Sequence, residues 1–366
     1  MKFTDKIKIA FKWLTSKIEE NSICSVYANF SGSNTIALYK LLKNELNIKL
    51  SPYKFSEEVI RSKIVLTTEG PFPYKRKRQI YIEMWHGFPL KAIFKMEKNI
   101  KYETIKENIK RWKKVDFIFS YSQLYNSLLS AMLEINFDKF VITGMPRNDL
   151  LLITNGKKNL EKLIKRNLQN TKIILYLPTF RKGRLNKING KERKKLIDFE
   201  EFNINKFDEF LKDINALFIA KFHPVEEKNL KGIIKENRTE NIVIIENEFL
   251  KQNFVDFYEI LNSADILITD YSSVYFDFLL LDRPIIFVPF DIEEYRKNRG
   301  FALEPYEFWT PGPKVFNQKE LQDSIEENLK YPEKFRKERE VILNLTHTFK
   351  DANSHLRVLN LLKNLL

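Results

Sequence analysis

An α/β fold built on parallel sheets is the class the sequence predicts, and three observations predict it. Short β-branched apolar runs recur along the chain, and stretches with apolar residues at helical spacing separate them. The runs are too uniformly apolar to keep one face wet, as expected of strands covered on both sides. The clearest unit is residues 264–290, ADILITDYSSVYFDFLLLDRPIIFVPF, which reads as strand, turn, helix, strand.

Within that unit Asp265–Thr269 is the first strand and Pro284–Val288 the second, with Val274, Phe278 and Leu281 at helical spacing between them. Ser272 or Ser273 supplies the N-cap. A helix start at the carboxyl end of a parallel strand offers unpaired N–H groups and a positive dipole end, which suits an anion such as phosphate. Two serine hydroxyls would add donors. The plainer reading is that Ser272 only caps a helix, and this stretch alone leaves both open.

The first half has the same rhythm. Residues 2–19 place Phe3, Ile7, Ala10, Phe11, Leu14 and Ile18 on one helical face and lysines on the other. This basic amphipathic helix either packs on the first domain, the default for such a pattern, or lies on an anionic membrane surface. Strands follow at Ser25–Phe30, Lys63–Thr67, Gln79–Met84, Val115–Ser120 and Phe140–Thr143, with helices at Thr35–Leu46 and Ser122–Leu133. A lysine- and asparagine-rich helical stretch, Asn155–Asn170, connects the halves. The second half repeats the architecture, with strands at Lys172–Tyr176, Ala216–Ala220 and Ile242–Ile245. Its helices are Phe202–Ile214 and Phe254–Leu261, and a charged loop spans Lys182–Lys195. Final helices run over Gln318–Leu329 and Ser354–Leu366. The reading is two Rossmann-like domains, 1–155 and 170–345, and a C-terminal helical segment, 346–366, able to pack back across them.

Composition narrows the function classes. A hydrophobic content of 43% with 13% aromatic residues fits packed domains rather than disorder. The single cysteine, Cys24, excludes an internal disulfide and a cysteine metal site, and fits a reducing compartment. Neither a membrane-spanning run nor a signal peptide is present, so the expected location is the cytoplasm. The net charge of +14 suits a polyanionic partner, although a lysine-rich compositional bias explains it equally well. There is no sequence repeat, and no glycine-rich nucleotide fingerprint of the GxGxxG or P-loop type.

The polar signals fall at the ends of successive strands: His86; Arg147, Asn148 and Asp149; Thr179 and Arg181; His223; and Asp270, Tyr271, Ser272 and Ser273. Ligands of open α/β sheets bind at such ends. Two sheets facing one another would put His86 and His223 on opposite walls of a cleft. A histidine before Gly and Pro in a turn is often incidental, so His86 taken singly decides little. No acidic pair or His/Cys cluster calls for a metal.

Together these stretches resemble the CDP-glycerol:glycerophosphotransferase family, the teichoic acid primases and polymerases with their capsule-polymer relatives. The matching residues are Trp85-His86-Gly87-x-Pro89-Leu90-Lys91, Gly144-x-Pro146-Arg147-Asn148-Asp149, Pro178-Thr179-x-Arg181, His223-Pro224, and Ala264 through Ser273 with Asp277. Pro284, Asp291, Tyr295 and Arg299-Gly300-Phe301 extend the match, which covers residues 25–357. Single motifs are weak, but six in this order are specific.

The resemblance implies a GT-B fold, two Rossmann-like domains across a central cleft, with the donor held mainly by the second. It implies transfer of glycerol phosphate from CDP-glycerol to an acceptor hydroxyl with release of CMP, and no required cofactor. On it His86 and His223 are the catalytic pair, with His86 as general base. Thr179, Arg181, Lys221, Asp270, Tyr271, Ser272, Ser273, Asp277 and Arg299 are expected on the donor side. Gly87, Lys91, Arg147, Asn148 and Asp149 are expected on the acceptor side or as structural residues. The implied partners are a lipid-linked saccharide or capsule-polymer acceptor and the anionic inner face of the membrane, with no nucleic acid. The chain departs from the family pattern at Phe88, where a small polar residue is usual, at Lys221 for arginine, and at Ala352 for glycine. These leave donor and acceptor open: CDP-ribitol, or a nucleotide sugar in a GT-B glycosyltransferase, is the alternative. A basic protein binding nucleic acid or membrane without catalysis is the remaining reading, and no RNA-binding motif supports it.

Overall fold

A computed structural model describes residues 16–52, 56–68, 70, 75–98, 100–181, 190, 193–223, 226–227 and 239–366. They divide into two compact units. The first holds the chain through His86, Lys101–Ile153 and His347–Leu366, and the second holds Gly87–Ile100 and Thr154–Thr346. The chain therefore changes unit inside the Trp-His-Gly run, between His86 and Gly87.

The first unit is a parallel sheet of β1 (Glu19–Val26), β2 (Ile48–Ser51), β3 (Ser62–Thr67), β4 (Ile80–Glu83), β5 (Phe117–Ser120) and β6 (Phe140–Ile142). Its order is β2-β1-β3-β4-β5-β6. Parallel neighbours need crossovers, and helices supply them. Ser33, Ser56 and Ser122 start three of these helices, each hydroxyl accepting the N–H three residues on. Ile23, Ile64, Leu66, Ile82 and Phe119 pack with Leu38 and Leu42 of the helix Asn34–Leu42. Val358 and Leu362 of the terminal helix Ser354–Leu365 complete this core, so the end of the chain is built into the first sheet.

The second unit is a parallel sheet of β7 (Lys172–Tyr176), β8 (Ala216–Ala220), β9 (Ile242–Ile244), β10 (Ile266–Thr269) and β11 (Ile285–Phe287), in the order β11-β10-β7-β8-β9. All of β8 and β10 is buried, as their continuous apolar runs require. The order reverses between β7 and β10. Chains leaving two such neighbours diverge to opposite sides of the sheet and open a crevice at their carboxyl ends. Pro178–Arg181 and Asp270–Ser273 follow those two strands.

Several local expectations are corrected. β1 begins at Glu19 and ends at Val26, because the buried run is Ser22–Val26 and the chain turns before Ser33. Residues 16–18 are not helical, so a helix read to Glu19 does not extend that far; residues 2–15 of that expectation lie outside the described residues. Of the helix expected over Phe254–Leu261 only Tyr258–Leu261 forms, because Phe254 takes a left-handed φ of 51°; a separate short helix, Asn247–Gln252, precedes it. The helix after β10 is only Val274–Phe278, continued by a 3₁₀ turn that ends at left-handed Asp282. The Lys182–Lys195 loop lies largely outside the described residues. Among the described residues no helix is long and apolar enough to cross a membrane.

Asp149 ties the terminal helix to the first sheet. It is fully buried and accepts from the Ser354 N–H at 3.1 Å, the His355 N–H at 2.6 Å and His355 Nδ1 at 2.8 Å. Gly144 has φ 71°, and a Cβ there would lie 2.5 Å from Ser354 Oγ, so the turn before Asp149 admits the helix start only as glycine. Asp149→Ala should destabilise the protein by about 3 kcal/mol, because it strands three donors at once. Asp149→Asn, which keeps an acceptor, should cost less; equal urea midpoints for wild type and alanine variant would remove the anchoring role.

Candidate functional site

In the first unit the site is a pinned turn carrying His86. β4 ends at Glu83, whose Oε1 accepts the Trp85 N–H at 2.8 Å. Trp85 takes a left-handed φ of 48°. The buried Asn34 amide donates to the carbonyls of Met84 and Trp85, both at 3.1 Å. Arg147 Nη1 donates to the His86 carbonyl at 3.1 Å and to the Gly32 carbonyl at 3.0 Å, while Nη2 reaches Tyr121 Oη at 2.9 Å. Three successive carbonyls are thus held by two buried side chains. The imidazole itself is exposed and stacks on Trp85, with centroids 4.3 Å apart. Its Nδ1 lies 3.0 Å from the Thr68 carbonyl. A carbonyl only accepts, so Nδ1 carries the proton and Nε2 is the basic nitrogen of the neutral ring.

In the second unit the strand ends are tied together around Arg181. Its side chain is fully buried. Nε and Nη2 donate to the two oxygens of Asp291 at 2.7 and 2.8 Å, and Nη1 donates to the Thr179 carbonyl at 2.7 Å. Nη1 also lies 2.9 Å from Asp270 Oδ2. The guanidinium packs against the rings of Tyr271, Phe290 and Tyr295. Asp270 Oδ1 accepts the N–H groups of Thr179 at 2.8 Å and Tyr271 at 2.5 Å. Burial works against the Asp270 carboxylate, but the charges of Arg181 and Arg193 outweigh it and hold its pKa below the usual range. Tyr271 Oη donates to Asp291 Oδ1 at 3.0 Å.

This arrangement changes the roles read for several residues. Arg181 is not available as a phosphate clamp, because its N–H groups are engaged inside the unit. Tyr271 and Asp277 are fully buried, and Asp277 accepts from Tyr258 Oη at 2.6 Å. Lys221 is buried, with Nζ on Glu227 Oε1 at 2.6 Å and on the Phe222 carbonyl at 3.0 Å. Arg181, Lys221, Asp270, Tyr271 and Asp277 are therefore tied into the second unit's own framework, as Arg147 and Asp149 are in the first; Thr179 and Asn148 are buried with them. Of the two serines read as the N-cap, Ser273 takes the position; no side chain caps the helix, which has only five residues. Ser272 and Ser273 remain half-buried at the end of β10.

Among the described residues read as site residues in the second unit, those with solvent access are His223, Lys91, Arg299 and the two serines. His223 follows β8, is exposed, and lies with its ring 4.4 Å from that of Phe180. Its carbonyl accepts the N–H groups of Glu226 at 2.8 Å and Glu227 at 3.2 Å, and Glu226 Oε1 in turn accepts the Arg181 N–H at 2.9 Å. Lys91 lies in the second unit with these groups. It forms an antiparallel bridge with Phe301, flanked by Ala92 N–H on the Gly300 carbonyl at 3.0 Å and Ala302 N–H on the Leu90 carbonyl at 2.8 Å. Arg299 straps the same segment, with Nε on the Ala92 carbonyl at 2.9 Å and Nη2 on Glu97 at 3.0 Å. Phe88 is fully buried against Phe276, so it anchors this segment rather than altering an acceptor site.

Asn34, Glu226 and Phe180 escape sequence reasoning. Asn34 reads only as part of a turn, and its type says nothing of the distant carbonyls it holds. Among the described residues no group of three or more His, Cys, Asp or Glu side chains is placed to hold a metal ion.

Residues 13–364 match the family described as CDP-Glycerol:Poly(glycerophosphate) glycerophosphotransferase. A teichoic acid glycerol-phosphate primase of Bacillus subtilis is 30% identical over 298 residues, which is 80% of this chain and 70% of that protein. A teichoic acid glycerol-phosphate transferase of Staphylococcus aureus is 28% identical over 272 residues, 69% of this chain and 63% of that one. The solved wall teichoic acid polymerase TagF superposes with a TM-score of 0.78 over 98% of this chain and 93% of that one, at 20% identity, a likeness that speaks for the fold, of the GT-B class. With a family match over nearly its whole length, the chain belongs to the CDP-glycerol:poly(glycerophosphate) glycerophosphotransferases and is a transferase of that class.

Proposed function

We propose that the chain moves glycerol phosphate from CDP-glycerol to a hydroxyl of a teichoic-acid- or capsule-type acceptor and releases CMP. The observation that carries the mechanism is the Nδ1 contact of His86 with the Thr68 carbonyl, which makes Nε2 the base. His86 takes the acceptor's proton as its oxygen attacks the phosphorus that bears glycerol. The bond from that phosphorus to the bridging oxygen breaks, and CMP leaves with the electron pair. Phosphoryl transfer of this kind depends on positioning and charge stabilisation more than on covalent chemistry. The exposed His223, beside Phe180, and the half-buried Ser272 and Ser273 serve the donor side. The net charge of +14 suits an anionic membrane face and a polyanionic product. A lipid-linked saccharide or capsule oligosaccharide is the acceptor class this reading implies.

CMP release from CDP-glycerol tests the reading, with CDP-ribitol and a nucleotide sugar as competing donors and a lipid-linked acceptor. His86→Ala should lower kcat by about 10²–10⁴, the usual contribution of a general base, and leave donor affinity nearly unchanged. His223→Ala should lower turnover and weaken donor binding together. Turnover of the nucleotide sugar with no CMP from either CDP-alditol would sink the proposal. Arg181→Met separates framework from clamp. Leaving Asp270 and Asp291 buried without their cation should cost about 3–5 kcal/mol of stability. A variant that melts like wild type and loses only donor binding would restore the clamp.

A further inference from the structure

We propose that Lys91 is the cation that binds the donor's diphosphate, an inference that rests on the reaction proposed above. Among the described residues, four other basic side chains lie near the carboxyl ends of β7, β8 and β10, and each is engaged. Arg181 is held by Asp270 and Asp291, Lys221 by Glu227, and Arg299 by Glu97. Arg193 is buried on Tyr176 Oη at 2.9 Å, with Asp198 Oδ2 3.4 Å away. Among the described residues no carboxylate pairs with the Lys91 ammonium. Its Nζ sits 6.0 Å from the centre of the Phe180 ring, the same ring that lies against His223. The segment carrying it is fixed by the bridge to Phe301 and the Arg299 strap, so the ammonium is presented from a rigid backbone.

The surroundings of Lys91 favour an added anion. Burial and the like charges of Arg299 and Arg181 oppose its protonation, Asp270 supports it, and the balance lowers its pKa to about 8. His223 faces the same corner across Phe180, and Asp291 is taken up by Arg181. A diphosphate arriving here supplies the missing negative charge and draws the Lys91 pKa back up. Binding therefore takes up a proton above pH about 8, and affinity must fall as pH rises through that value.

The donor is a diphosphate diester whose charge does not change near this pH, so CDP-glycerol binding without acceptor isolates the protein's titration. By calorimetry, wild-type affinity should fall about fivefold between about pH 8 and about pH 9, and about tenfold from about pH 7 to about pH 9. Lys91→Gln should weaken binding about tenfold or more at about pH 7, as expected for losing a charged hydrogen bond, and flatten the pH profile. Lys91→Arg should keep the affinity and lose the pH step, because guanidinium stays charged. That variant is the necessary control, since burial also lowers Lys314 to about 8. Persistence of the step in Lys91→Arg, or unchanged affinity in Lys91→Gln, would overturn the assignment. Pyrophosphate at fixed pH about 7 separates the two readings. If wild type neither binds nor turns over CDP-glycerol yet binds pyrophosphate through Lys91, the reaction proposal falls and Lys91 stands. If CMP is released normally and Lys91→Gln binds both probes like wild type, Lys91 falls and the reaction stands.

Discussion

The second unit depends on one buried cation held between two carboxylates. Arg181 draws in Asp270 at the end of β10 and Asp291 beyond β11, while its own backbone N–H reaches Glu226 beyond β8. Three strand exits are thereby fixed to one arginine, two through its guanidinium and one through its backbone. Removing three charges from water is costly, and their attraction offsets that cost only with full hydrogen bonding. Here the planar fork of arginine meets both oxygens of Asp291, and Asp270 is further held by two backbone N–H groups. The outcome is less a gain in stability than a unique geometry for the loops that carry His223, Phe180 and the serines. The rings of Tyr271, Phe290 and Tyr295 around the guanidinium keep water from loosening it.

The first unit solves the same problem with neutral acceptors. A general base works only if its lone pair is presented in one tautomer and direction. Asn34 and Arg147 hold the carbonyls of Met84, Trp85 and His86, the Thr68 carbonyl selects the tautomer, and Trp85 sets the ring plane. Arg147 comes from the same run as Asp149, which anchors the terminal helix. One short stretch therefore couples the last element of the chain to the histidine turn.

The fold is largely legible in the sequence because its signals are local. β7 and β8 match their expected ranges, since fully buried parallel strands are continuous apolar runs bounded by polar residues. β2, a short edge strand of mixed polarity, and the Phe254 break have no such signal. The two histidines are legible as exposed groups at strand ends. The state of the charges around them is not. Residue type places an arginine or lysine near the site, but whether its N–H groups are already consumed depends on partners far away in sequence. Asp291 is 110 positions from Arg181. The unit to which Lys91 belongs is hidden for a related reason, since nothing local says that the chain changes unit just before it, between His86 and Gly87.

The same dependence on distant partners decides what the departures from the family pattern do. A lysine at 221 in place of arginine would matter if the side chain gripped phosphate, since a point charge cannot make a bidentate contact. Lys221 instead turns to Glu227, which also accepts the Asn247 N–H at 3.1 Å, so it braces the turn below His223. Phe88 likewise fills the second unit's interior against Phe276 and holds the start of the Lys91 segment. Both substitutions act on the framework. A cationic site in which most charges are paired internally concentrates its response to substrate in the few left accessible. Differences between donors must be sought around those groups, where the protein still has charge to offer.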